Sequence, residues 1–165
     1  MLMKMLLGLC LLRTAPQDLP TSRALMAVVL VAYGAADVIT VLDILTLENA
    51  LVVAAVDTLL LVAATQLVLQ WRRFENRATQ TLTALAGSGA LLSMLAWAGA
   101  GLVRGVLAPE WIWAIFLVWY TLVFGHVLRH ALSVSYAAGV GASLVYLILS
   151  MSVTGLFMYP IPSTD

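Results

Sequence analysis

Long apolar stretches alternate with short polar breaks along this chain, and the pattern predicts five membrane-spanning helices. The five stretches cover residues 24–45, 49–70, 79–103, 109–128 and 134–159. Each is close to the about 20 residues that an α-helix needs to cross a hydrocarbon layer about 30 Å thick. A shorter apolar stretch at residues 1–12 predicts a short helix that lies at, or dips into, one face of the membrane. We therefore predict an all-α membrane protein, a single domain over residues 1–165, with five transmembrane helices and a short N-terminal interfacial helix.

The composition excludes an ordinary water-soluble domain. Hydrophobic residues make up 63% of the chain and charged residues 10%, whereas soluble domains are about 45–50% apolar and about 25% charged. The formal net charge is zero, so nothing in the charge balance favours nucleic acid as a partner. The expected partners are the lipid bilayer and either other membrane proteins or a second copy of the chain.

The basic residues predict the orientation. With five spans, the N-terminus and the loops after spans two and four share one side. Seven of the eight Lys and Arg residues fall on that side, and only Arg104 falls on the other. Because basic residues in short loops mark the cytoplasmic face, we predict a protein of the bacterial inner membrane with a cytoplasmic N-terminus and a periplasmic C-terminus.

Two carboxylates lie inside predicted spans: Asp37 in span one and Asp57 in span two. Each is ten residues from Leu47, at the centre of the turn between the spans, which puts both about 15 Å along their helices and at similar depth in the outer half. An ionised aspartate at a bilayer centre costs at least about 2.5–3.5 kcal/mol, so such residues usually face the bundle interior and have a role.

Three roles are open for this pair. The aspartates could mark a proton or cation pathway. They could instead hold helices together through hydrogen bonds to neighbours such as Thr40, Thr58 or Gln66, or contact a basic group on a partner protein.

The two histidines of the chain, His126 and His130, are one helical turn apart with Arg129 between them. Two histidines at this spacing can share a metal ion, but the pattern of zinc proteases also needs a glutamate base and a third ligand. The neighbouring arginine opposes a divalent cation, so we predict no metal site. A basic helix end meets the negative end of the helix dipole and anionic headgroups. The predicted cytoplasmic basic surface, a possible headgroup site, consists of Arg72, Arg73, Arg77, His126, Arg129 and His130.

Small residues are dense in span three. The candidates for close helix packing are Gly87, Gly89, Gly101 and Gly105. Small side chains let helix backbones approach closely, and the spacing of the last two fits the small-xxx-small pattern. These glycines are expected to serve packing inside the bundle or a contact with another chain.

No pattern of catalytic residues is present. The serines have no histidine and aspartate at matching depth, since the histidines are predicted at the inner side and the aspartates in the outer half. Cys10 is the only cysteine, so no internal disulfide can form. We expect a protein that is not an enzyme and has no cofactor.

The stretches RATQTLTALAGSGALL (77–92) and WAIFLVWYTLVFGHVLRHALSVSYAAGV (113–140), with five spans, resemble bacterial members of the Yip family of small polytopic membrane proteins. Eukaryotic members of that family bind Rab GTPases through a long cytoplasmic N-terminal region. Only about 23 residues precede span one here, so the resemblance implies class and topology and does not carry over the GTPase role.

The leading hypothesis from the sequence is a non-enzymatic interaction, assembly or membrane-organisation protein. One rival is a small transporter or proton-coupled component that uses Asp37 and Asp57. A second rival is a lipid-handling factor that binds a headgroup on its basic surface.

Overall fold

The computed structural model describes residues 2–103 and 108–158, and within these residues the protein is all-helical. Six α-helices follow in order: α1 (Leu2–Cys10), α2 (Arg23–Val41), α3 (Leu47–Trp71), α4 (Ala78–Leu102), α5 (Pro109–Leu132) and α6 (Tyr136–Met158). Two 3₁₀ turns, Pro16–Asp18 and Glu75–Arg77, precede α2 and α4. Within the described residues, five helices are long and apolar enough to cross a membrane, with mean hydropathy between 1.4 and 2.2. The predicted fold class is confirmed.

The helix boundaries differ from the predicted spans at two places. α2 ends at Val41, because the chain turns over the next residues and Thr46 caps α3 by accepting a hydrogen bond from the Asn49 N–H. α5 runs to Leu132, one turn beyond the predicted end, and closes on Ser133 in the left-handed conformation. The histidines therefore lie within α5.

The five long helices form a closed ring. Going round it, α4 contacts α2, α2 contacts α3, α3 contacts α6, α6 contacts α5, and α5 returns to α4. α4 is the most buried of them, and its buried residues include Ala84, Ala86, Gly87 and Ser88. Large apolar side chains point outward instead, among them Val31 (73% exposed) and Leu59 (69% exposed). An apolar exterior around a core of small and polar residues is the arrangement that a hydrocarbon solvent favours.

The two ends of the ring differ in charge. The connections α3–α4 and α5–α6 lie at one end, which we call the basic end because it carries Arg72, Arg73, Arg77 and Arg129. The α2–α3 turn, the end of α4 and the start of α5 lie at the other, which we call the opposite end. Arg104 lies outside the described residues.

The N-terminal helix is packed into the bundle. α1 contacts α4 and α5, with Leu6, Leu9 and Cys10 buried. The Trp119 indole N–H donates a hydrogen bond of 2.7 Å to the Cys10 carbonyl. Trp119 lies 13 residues before the end of α5, which is about 20 Å along the helix axis from the basic end. Because Cys10 contacts Trp119, the C-terminal end of α1 lies at this depth. The short N-terminal helix thus dips into the bundle, one of the two positions expected for it.

Candidate functional site

An open cavity of about 310 Å³ lies inside the ring, towards the opposite end. All five long helices contribute to its wall. Its rim includes Val41 near the end of α2, Trp113 near the start of α5 and Thr154 near the end of α6. Its floor includes Tyr33 and Asp57; the latter is ten residues into α3, or about 15 Å from the helix start. The cavity therefore reaches roughly halfway through the bundle.

Asp57 at the floor is buried, with 7% of its surface exposed. The Tyr33 hydroxyl donates a 2.5 Å hydrogen bond to its Oδ2 atom, and the Ser150 hydroxyl donates to its Oδ1 atom. Both carboxyl oxygens thus accept a hydrogen bond from a different helix, α2 and α6. Hydrogen bonds of this kind offset the desolvation of a buried carboxyl group.

Asp37 lies beside Asp57 and lines the same cavity. Its Oδ2 atom is buried and makes no hydrogen bond with any described residue. Thr40, one of the expected partners, donates to the Asp37 backbone carbonyl and not to the carboxyl group. An unpaired buried polar atom costs about 1–3 kcal/mol, so the Asp37 carboxyl group is held at an energetic cost, and it interacts with the neighbouring carboxyl group of Asp57.

Aromatic rings close the floor. Tyr120 stacks on Phe124 with ring centroids 4.0 Å apart, and Phe124 stacks on Tyr146 at 5.9 Å. Gly89 of α4 provides the space for this group, since a Cβ atom there would lie 2.7 Å from Cε2 of Tyr33. A side chain at this position would displace the tyrosine that donates to Asp57.

A second, smaller cavity of about 60 Å³ lies on the other side of this aromatic layer, towards the basic end. Its walls are almost entirely apolar and include Leu61, Leu85 and Leu132. Tyr146 lines both cavities, and its hydroxyl is buried without a hydrogen bond among the described residues. Tyr146 therefore lies between the two cavities.

At the basic end, Arg77 is engaged within the protein. Its Nη1 atom donates to the carbonyl oxygens of His130 and Ala131, at 3.2 and 3.0 Å, and to the Ser133 hydroxyl at 2.8 Å. Its guanidinium also lies over the Phe74 ring. A cation at the C-terminal end of a helix satisfies its last carbonyls and its dipole, so Arg77 caps α5.

The histidine pair anchors the N-terminal segment. His126 is buried, and its Nε2 atom lies 2.9 Å from the Thr14 carbonyl oxygen. The two imidazole rings meet edge to face at 4.7 Å, and the His130 carbonyl accepts a hydrogen bond from the Gln17 side chain. The sequence alone suggested a solvated helix end, but residues 14–19 cover it. Arg129 lies near the Tyr136 ring, whereas Arg72 and Arg73 are exposed.

The candidate packing glycines have different surroundings. Gly87 faces Leu6 of α1 and Val29 of α2, and Gly89 faces Tyr33. A Cβ atom at Gly101 would meet no described atom within 4 Å, so Gly101 makes no close contact within the described part of the chain. Gly105 lies outside the described residues.

Sequence reasoning missed Tyr33, Ser150 and Tyr146 as site residues. Tyr33 had a usable signal, because it precedes Asp37 by four residues and so shares its helix face. Ser150 had none: its contact with Asp57 spans 93 positions and depends on α6 lying beside α3.

Among the described residues, no group of three or more His, Cys, Asp or Glu side chains could hold a metal ion. No protein-family model, curated protein or solved structure matches this chain.

Proposed function

We propose that this protein is a small multi-pass transporter, or the membrane component of one, that binds a solute in the cavity above Asp37 and Asp57. The observation that carries the proposal is the open cavity with two neighbouring carboxyl groups at its floor. Ionisable groups inside a membrane are costly and mark substrate or proton pathways.

The two cavities support transport over simple binding. A transporter exposes its site to one side of the membrane at a time, around a site near the bilayer midplane. Here an open cavity reaches the middle of the bundle, and the layer formed by Phe124 and Tyr146 separates it from a small cavity beyond. We propose that this arrangement is the form open to the opposite end, and that the aromatic layer is the barrier that must rearrange.

The proposed setting is the bacterial inner membrane, with the basic end in the cytoplasm and the cavity open to the periplasm. The distribution of Lys and Arg residues supports this orientation through the positive-inside rule. Membership of the Yip family and the lack of an enzymatic activity remain proposals that rest on the sequence alone.

Assembly with another membrane protein is the second candidate function, and Gly101 favours it. This glycine is exposed near the end of α4, and a Cβ atom there would meet no described atom within 4 Å. A neighbouring helix could approach closely at such a position. This candidate predicts that Gly101→Leu abolishes co-purification of a partner and leaves the cavity unchanged.

Thiol labelling tests the proposed transporter. Ser93 lines the cavity, whereas Ser88, on the same helix, is fully buried and donates to the Ala84 carbonyl. We expect Ser93→Cys to react with a small, membrane-impermeant cationic thiosulfonate added from the opposite end only, and Ser88→Cys to stay unreacted from either side. The native thiol interferes little, because Cys10 is buried against α4 and α5.

The charge of the reagent gives the second readout. An anionic thiosulfonate of similar size should modify Ser93→Cys more slowly than the cationic reagent, because Asp37 and Asp57 attract cations. Asp37→Asn should reduce the difference between the rates of modification by the cationic and the anionic reagent. If Ser93→Cys reacts from neither side, or from both sides as fast as an exposed loop cysteine, the proposed transporter is wrong.

A further inference from the structure

The charge of the cavity selects a cation. Its lining includes two carboxyl groups and no Lys, Arg or His among the described residues. Two neighbouring carboxylates repel each other in a medium of low dielectric constant. A bound cation relieves that repulsion, whereas a bound anion would add to it.

The hydrogen bonds indicate where the cation binds and what kind it is. Both oxygens of Asp57 already accept hydroxyl hydrogens from Tyr33 and Ser150. The Asp37 carboxyl group also lines the cavity, and no hydroxyl group among the described residues donates to it. A group that carries N–H bonds, such as a protonated amine, supplies that donor together with a positive charge. A quaternary ammonium group supplies only the charge.

The walls above the carboxyl pair fit an apolar or aromatic body. They include Trp113, Phe116, Leu117, Leu147 and Met151, from α5 and α6. Ligand sites commonly combine apolar walls with a few polar groups that fix orientation, and aromatic faces attract cations. A bare metal ion would instead need several oxygen ligands to replace its water shell.

The volume limits the size of the ligand. A water molecule takes about 30 Å³ of liquid, so the cavity of about 310 Å³ holds about ten waters. That suits a molecule of about ten non-hydrogen atoms. It lies at the small end of ligand pockets, which span about 300–1,000 Å³.

We infer that the ligand of this cavity is a small primary or secondary amine with an aromatic or branched apolar body, its ammonium group donating to the Asp37 carboxyl group and its body lying against Trp113 and Phe116. This inference rests on the proposed function and names its substrate class. The carboxyl pair would hold the charge, and the aromatic floor at Tyr120 would set the depth.

The test is equilibrium binding of radiolabelled 2-phenylethylamine to the purified full-length protein in mild detergent. We expect saturable binding with one site per chain. Three unlabelled competitors separate the contributions: 2-phenylethanol lacks the charge, the N,N,N-trimethyl analogue lacks N–H donors, and sodium lacks the apolar body. Each should compete at least about tenfold more weakly than the unlabelled amine, a difference of about 1.4 kcal/mol.

Matched variants assign the site. Asp37→Asn should weaken binding at least about tenfold, whereas Glu48→Gln, which removes an exposed carboxylate at the same end of the bundle, should leave it unchanged. Both variants must elute from size-exclusion chromatography as the parent does. If Asp37→Asn does not fold, competition by the three analogues on the parent protein still shows whether the cavity selects an amine.

The inference is overturned by an absence of saturable amine binding, by equal competition from the trimethyl analogue or from 2-phenylethanol, or by equal binding to the Asp37→Asn variant. Displacement of the amine by sodium at comparable affinity would assign the cavity to an inorganic cation and also overturn it. The labelling of Ser93→Cys separates this failure from that of the proposed transporter. If that cysteine reacts with the cationic reagent while the amine does not bind, the protein is still proposed to be a transporter, but its substrate is not an amine of this class.

Discussion

At the scale of single residues, the position of the two aspartates was accessible from the sequence but their partners were not. Counting residues from the turn at Leu47 places Asp37 and Asp57 at similar depth, and both line one cavity. The expected partners were threonines and a glutamine of the same two helices. The actual donors to Asp57 are Tyr33 and Ser150, because helix packing, which sequence spacing does not encode, brings α6 beside α3.

Substitution of Asp57 should depend on charge and shape. Asp57→Asn keeps the shape and one acceptor oxygen, so it should lose one hydrogen bond, worth about 0.5–1.5 kcal/mol, and still accumulate in the membrane. Asp57→Lys places a longer cation against buried Tyr33 and should abolish accumulation. Quantitative blotting of the detergent-extracted protein measures both. Normal accumulation of the lysine variant would contradict the burial of Asp57.

At the scale of elements, hydrophobic length predicted the long helices and their approximate ends. Apolar length cannot show where a helix stops when its end is buried: α5 continues past residue 128 because Leu132 is buried and Arg77 caps the last carbonyls. The sequence pattern also could not show whether α1 lies on the membrane surface or inside the bundle. Its nine residues suit an interfacial helix, and only contacts such as that between Trp119 and Cys10 put it inside the bundle.

The contact between α5 and α6 depends on two glycines, one on each helix. A Cβ atom at Gly125 would lie 2.8 Å from the Val140 Cα atom, and one at Gly139 would meet the Gly125 carbonyl oxygen. Backbone atoms cannot move aside without a large cost. The two helices can therefore come this close only because neither glycine carries a side chain.

Replacing Gly125 by Ala should therefore destabilise the protein by about 1–3 kcal/mol, the range for overpacking a close contact. Gly141→Ala is the matched control, since a Cβ atom there meets no described atom within 4 Å; alanine in a helix should be neutral or stabilising by up to about 1 kcal/mol. Thermal unfolding in detergent, followed by circular dichroism, compares the two. Equal melting temperatures would show that α5 and α6 do not cross closely at this point.

At the scale of the whole molecule, the sequence predicted the number of spans and their sidedness but not the ring. Sequential hairpins place α2 beside α3 and α5 beside α6. The contacts of α4 with α2 and of α3 with α6 close the ring, and they arise from shape, with Gly87 and Gly89 admitting neighbouring side chains. The cavity exists because the ring closes around it, which is why no local motif indicated it.

Transport through this cavity requires that the chain crosses the membrane with the basic end on one side and the cavity opening on the other. Two exposed positions test this directly: Asn76, in the turn between α3 and α4, and Glu48, at the start of α3. With an impermeant maleimide on intact spheroplasts of a bacterial host, we predict labelling of Glu48→Cys at once and of Asn76→Cys only after the membrane is permeabilised. Equal labelling of both cysteines in intact cells would contradict the membrane-spanning arrangement, and labelling of Asn76→Cys alone would invert the sidedness on which the direction of the cavity depends.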